Sequence, residues 1–311
     1  MPKRPSAAAV RRLQRALDAR ASERTREWWE RYLKGSAAFR GVPMAGVREV
    51  MCEWWLREGI NTLPRAEQRA MALRLFEEQA TEDKLAGVLA LADVLLPSLT
   101  RKDLPAFARL FAGGLIADWN LCDWFCVKVL GRMVELAEDR APLARAIAAW
   151  SRARPLWQRR ASLVAFANLA QRGDEIFPGM TELLLETSAV VVRDPARFAQ
   201  TGVGWILREL SHADRRAVVE FVEENAAQMS REGARYATAK MPEQEKKRLL
   251  ALHQRRVPAE AKRTVGRQHS GLPAAAQRKT DNGRRMADSG RRKTEDGERK
   301  TEDRGRRAAR A

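Results

Sequence analysis

The segment Pro155-Leu156-Trp157-Gln158-Arg159-Arg160-Ala161-Ser162-Leu163-Val164-Ala165-Phe166-Ala167-Asn168-Leu169-Ala170-Gln171 carries the clearest folding signal in this chain. Proline suits the opening of a helix, where the N–H it lacks has no intrahelical partner anyway. Behind it, apolar residues recur at three- and four-residue spacings, the period of a helix. The same spacing runs through Val10–Ala19, Val47–Arg57, Ala66–Gln79, Asn120–Ala137 and Arg197–Leu210, and Pro43, Pro64, Pro105, Pro142, Pro178, Pro195 and Pro242 stand at similar openings. Ala, Leu, Arg and Glu dominate, and the period-two alternation of a strand is scarce. The chain is predicted to be all-α.

Proline spacing refines that expectation. Pro64, Pro105, Pro142 and Pro178 are 41, 37 and 36 residues apart, and Pro155 to Pro195 is 40. Those intervals fit the pitch of a HEAT-like helical pair. An α-solenoid of HEAT-like repeats follows, in which each pair buries its face on its neighbours and the stack leaves a concave surface. A compact helical bundle of the same composition is the competing architecture.

The 311 residues hold 58 Lys or Arg against 40 Asp or Glu, a net charge of +18. Three cysteines (Cys52, Cys122, Cys126) are too few for a disulfide scaffold, and no apolar signal segment stands near Met1. Both features point to a reducing, cytoplasmic compartment. The longest largely apolar stretch, Leu85 to Leu99, is too short for a bilayer and contains Asp93 and Pro97. With three histidines, a histidine-rich metal site is not expected, and neither is membrane insertion. A polyanion is the expected partner.

Charge divides the chain into three. A lead-in helix over residues 1–20 precedes a helical body over 21–254. Residues 255–311 form a tail with 18 basic and 8 acidic side chains. The tail repeats Arg-Lys-Thr-Asp or Arg-Lys-Thr-Glu-Asp at Arg278, Arg292 and Arg299 and has almost no large apolar residues, so it is expected to be disordered. It reads equally as a nonspecific nucleic-acid arm or as a solvated end.

Three stretches of the body carry possible chemistry. In Asp118-Trp119-Asn120-Leu121-Cys122-Asp123-Trp124, Asp118 reads as an N-cap, which places Trp119 and Asp123 on one helix face. A carboxylate beside an aromatic plane suits a cationic sugar, although an amphipathic helix with one exposed Asp has the same spacing. Arg159-Arg160 at the opening of the quoted segment either holds a phosphate or is a solvated first turn. In Gly202-Val203-Gly204-Trp205-Ile206-Leu207-Arg208-Glu209-Leu210, two glycines allow close approach of a neighbouring helix or of a ligand. Cys122 and Cys126, four apart, read as buried packing and not as a zinc site. Most of the nine tryptophans are expected in the core, and some in a groove against sugars or bases.

In this order, W-x-x-x-D, W-Q-R-R-A-S and G-W-I-L-R-E-L resemble the bacterial DNA alkylation repair glycosylases of the AlkD type. Arg31-Tyr32-Leu33-Lys34, Phe39-Arg40-Gly41-Val42 and the helix Val47–Trp55 match that family's N-terminal pattern, so the similarity runs from Ser22 to Met241. The resemblance implies HEAT-like repeats around a DNA-binding groove. It implies excision of cationic N3- or N7-alkylated purines from double-stranded DNA by a monomer, in the cytoplasm at the nucleoid, without turning the base into a pocket and without a cofactor or metal. Carried over, it makes Asp123 the catalytic carboxylate, places Trp119 and Trp205 at the lesion sugar, and puts Arg160 on the DNA backbone. Tyr32 and Arg208 match positions near the DNA. Asn120 stands where a relative has Asp, at a noncatalytic position.

That chemistry fits a sparse site. An N3- or N7-alkylated purine already bears positive charge and leaves without a general acid, so one carboxylate can stabilise the oxocarbenium ion and position water. The competing reading is a noncatalytic HEAT-like scaffold that binds nucleic acid or an acidic protein. It has no need of Trp119, Asp123, Arg160 and Trp205 together in one groove.

Overall fold

A computed structural model describes residues 7–256. Three helices lead the chain: α1 (Ala7–Asp18), α2 (Glu23–Tyr32) and α3 (Met44–Arg57). Five antiparallel pairs follow: α4 (Arg65–Arg74) with α5 (Thr81–Leu89), α6 (Leu104–Ala112) with α7 (Trp119–Phe125), α9 (Arg140–Ala148) with α10 (Leu156–Val164), α11 (Met180–Val191) with α12 (Arg197–Leu210), and α13 (Arg215–Glu224) with α14 (Arg231–Ala237). A π turn over Cys126–Leu130 carries α7 into α8 (Gly131–Leu136), and α15 (Glu243–Arg256) closes the described part. Among the described residues the β-type pairing is one isolated bridge, Ala38 to Ala80.

The pairs stack as an α-solenoid. One row runs α1, α3, α5, α7, α10, α12, α14, each helix packed on the next. Pro64, Pro105, Pro142 and Pro178 stand at or just before the first turns of α4, α6, α9 and α11, the partners in the second row, whereas Pro155 and Pro195 precede α10 and α12 in the first. The proline intervals therefore mark a structural repeat, since each helical pair needs one complete up-and-down passage of chain. One apolar core runs the whole length from Ala9 to Leu249, with Phe125 of α7 meeting Phe76, Phe107 and Phe111 edge to face.

Some helix ends differ from the spacing. The helical pattern over Leu156–Gln171 stops at Val164, because Phe166, Ala167 and Leu169 donate to carbonyls only three residues back. Residues 165–167 and Leu169 are buried, so apolar residues on every side obscure the end of the helix. The tryptophan expectation also shifts: Trp54 and Trp55 are buried, whereas Trp124, Trp150, Trp157 and Trp205 lie partly buried at the edge of the core.

α2 is attached differently from the rest. No residue of it is buried. The loop behind it is seated instead, where the Glu82 carboxylate at the start of α5 accepts from the backbone N–H groups of Arg40, Gly41 and Val42 at 2.9, 2.8 and 3.1 Å. The Arg40 guanidinium bonds Asp83 at 2.8 Å and also Asp18, tying α1, the loop and α5 together. Gly41 sits at φ +97° against the first turn of α2, a conformation that favours glycine, and its carbonyl accepts from Ser22 N–H at 2.9 Å. The tail assigned to residues 255–311 lies outside the described residues apart from the backbone end of α15.

Candidate active site

Asp118 caps α7: its side chain accepts from Leu121 N–H at 2.9 Å. The cap starts the helix at Trp119 and thereby places Trp119 and Asp123 one turn apart on one face. Asp118 is buried, and burial pushes its carboxyl up against the opposing pull of the backbone N–H groups and Lys84.

Asp123 is joined to Arg160 of α10 by a bidentate pair, Nε to Oδ1 at 2.7 Å and Nη2 to Oδ2 at 2.9 Å. Nη1 of Arg160 donates to the Phe198 carbonyl at 2.8 Å and to Thr201 Oγ1 at 3.2 Å, both on α12. These contacts account for four of the five guanidinium N–H groups. The Arg160 side chain is 6% exposed and that of Asp123 16%. Burial raises the Asp123 carboxyl above its ordinary value, and the guanidinium offsets this only in part. For Arg160 burial acts downward, but the carboxylate outweighs it and holds the guanidinium above its ordinary range. Three consecutive first-row helices thus meet at one ion pair.

The aromatic side chains flank that pair. Trp205 lies one turn along α12 from Thr201 and is partly buried against the core. Tyr32 of α2 meets Trp119 edge-on, with ring centroids 5.3 Å apart. Arg208, one turn beyond Trp205, is bound by Glu209 at 2.6 and 2.8 Å, and Glu209 also accepts from Lys240 at 3.0 Å. The two glycines of α12 have different neighbours. A Cβ on Gly204 would meet the Gly233 carbonyl oxygen at 2.5 Å, so this glycine allows α14 to pack close, whereas Gly202 faces the Arg160 side chain.

Sequence reasoning missed Phe198 and Thr201, which anchor Arg160 through one carbonyl and one hydroxyl, as well as Glu82, which holds the loop behind α2. Backbone acceptors and a single hydroxyl leave no motif. Cys122 and Cys126 are buried with their sulfurs 3.9 Å apart, and burial drives the Cys122 thiol well up, away from reactivity. Among the described residues no group of three or more His, Cys, Asp or Glu is placed to hold a metal, and no helix is long and apolar enough to cross a membrane.

Among solved structures, a predicted DNA alkylation repair enzyme from Enterococcus faecalis is similar to this chain at a TM-score of 0.61 and 19% identity, over 72% of this chain and 98% of that one. At that identity the likeness supports the all-helical fold. No curated protein matches. The family described as DNA alkylation repair enzyme matches residues 13–241, which include all the lead helices from Leu13 onward, the Asp123–Arg160 pair and Trp205. The chain belongs to the DNA alkylation repair enzyme family.

Proposed function

We propose that the protein is a monofunctional DNA glycosylase that hydrolyses the N-glycosidic bond of cationic N3- or N7-alkylated purines in duplex DNA. One observation carries the reading: a nearly buried carboxylate, oriented through both oxygens by Arg160, stands one helical turn from Trp119 at the meeting of α7, α10 and α12. As the C1′–N bond breaks, its electron pair leaves with the purine, which departs neutral. Asp123 stabilises the positive charge that develops on the sugar, and a water then adds to C1′ and loses its proton. Trp119 and Trp205 add aromatic faces beside the cationic sugar, worth about 0.5–2 kcal/mol each.

Arg160 has two tasks in this scheme. It keeps a buried Asp123 ionised and oriented, and its remaining N–H is directed to a phosphate beside the lesion. Tyr32 and Arg208 contact the DNA to either side. The protein acts as a cytoplasmic monomer and needs no cofactor.

The test is base release from duplex DNA treated with a methylating agent, resolved by chromatography. The expected products are 3-methyladenine and 7-methylguanine, with neutral uracil left in place because it needs leaving-group activation. Efficient uracil excision without methylpurine release overturns the reading. Tight DNA binding with no release at all favours a noncatalytic scaffold.

A further inference from the structure

An aromatic stack leads from the candidate site into solvent, and the chemistry above uses only its inner end. From Trp119 the chain of rings passes to Tyr32 at 5.3 Å and then to Trp28, which lies nearly parallel to Tyr32 at 5.0 Å and 14°. Trp28 and Tyr32 are each 44% exposed, among the most exposed large apolar side chains of the described residues. The neighbouring Trp29 stacks on Phe39 at 5.3 Å and 5°, so it holds α2 in place while Trp28 faces outward. A helix with no buried residue that keeps an ordered, solvent-facing ring stack is poor packing, because the exposed rings add little to the core.

We infer that this exposed face of α2 is a stacking surface for the purine base on the lesion sugar. The inference rests on the glycosylase reading, which brings that sugar to Trp119. Charge favours a base over a phosphate as the occupant. α2 carries three arginines and three glutamates, and Arg26 pairs with Glu23 at 2.9 Å and Arg31 with Glu27 at 3.9 Å, so the helix has no net charge to attract a backbone. What it offers is a flat indole face, which every base can stack on. A cationic alkylated purine gains an additional cation–π attraction there that a neutral base does not. The surface is open, so the base rests against it without entering a pocket.

The experiment compares duplexes of one sequence at one salt concentration, carrying either 7-methylguanine or a tetrahydrofuran abasic analogue at the same position. Affinity is read by fluorescence anisotropy, and for the reactive duplex by the protein concentration that gives half the maximal single-turnover rate. Trp28→Ala is expected to weaken the 7-methylguanine duplex roughly 5- to 150-fold and to leave the tetrahydrofuran duplex, which has no base to stack, unchanged. Trp28→Phe, which keeps a ring, recovers most of the loss. An equal loss on both duplexes, or no loss on either, overturns the inference. Absence of base release by the parent protein overturns the glycosylase reading instead, while the two affinities still report on Trp28.

Discussion

At the scale of single residues, the Asp123–Arg160 pair sets the expected behaviour. Asp123→Asn removes the charge that acts on the transition state, so single-turnover excision is expected to fall roughly 10²–10³-fold. DNA affinity is expected to hold or rise, because Arg160 loses its carboxylate partner and becomes available to phosphate. An unchanged rate on methylpurines removes Asp123 from the mechanism. The pH dependence has a defined sign. Burial places the Asp123 carboxyl above its ordinary 3.8, and the ionised form is the active one, so the rate falls as acid is added while the pH is still above 3.8. For stability the sign is opposite. A folded-state value above the unfolded one means that this group favours folding at low pH, and that contribution is lost as the pH rises through the elevated value. Arg160→Ala strips the guanidinium that offsets burial, so the acid limb of the rate profile is expected at higher pH than in the parent. Measuring rate against pH for both proteins decides it, and a limb that stays put excludes Arg160 as the group that keeps Asp123 ionised.

At the scale of elements, close approach between neighbouring first-row helices decides which substitutions the site tolerates. α12 meets α14 where Gly204 faces the Gly233 carbonyl, and α12 also supplies Phe198, Thr201 and Trp205 to the site. Gly204→Val forces the two backbones apart, with an expected cost of about 1–3 kcal/mol, read as a lower melting temperature. Excision should fall more than binding does, because α12 shifts relative to the Arg160 it anchors. An unchanged melting temperature contradicts the packing described for these helices. The cap of α7 belongs to the same scale. Asp118→Ala removes the acceptor for Leu121 N–H and is expected to cost roughly 0.5–2 kcal/mol, with Trp119 at the loosened end of the helix.

At the scale of the molecule, charge distribution sets DNA affinity separately from chemistry. The packed unit runs to Val257, so truncation after that residue leaves every described helix intact. Residues 258–311 hold 16 basic and 8 acidic side chains. Removing them is expected to weaken DNA binding mainly at low salt and to flatten the plot of log affinity against log salt. Single-turnover excision at saturating protein should stay the same. A salt slope equal to that of the full chain shows that the segment does not touch DNA.

The all-helical class, the repeat interval and the starts of most helices were legible in the residues themselves. Helix period and proline both act locally: the pattern at Arg197–Leu210 reproduces α12 end to end, and Pro64, Pro105, Pro142 and Pro178 mark the second-row helices. The cap at Asp118 and the shared face of Trp119 and Asp123 were legible for the same reason, since both depend on neighbours within one turn. What Asp123 faces was not. Its partner is 37 residues away, and the groups that hold Arg160 are a carbonyl and a hydroxyl 38 and 41 residues beyond Arg160. Contacts across three stacked helices depend on how the pairs rotate and slide on one another, which core packing over the whole row decides. Composition likewise left open whether a tryptophan is core or surface. Trp54 is buried and Trp28 exposed because α3 packs into the stack, while α2 rests on a loop that Glu82 holds from another helix.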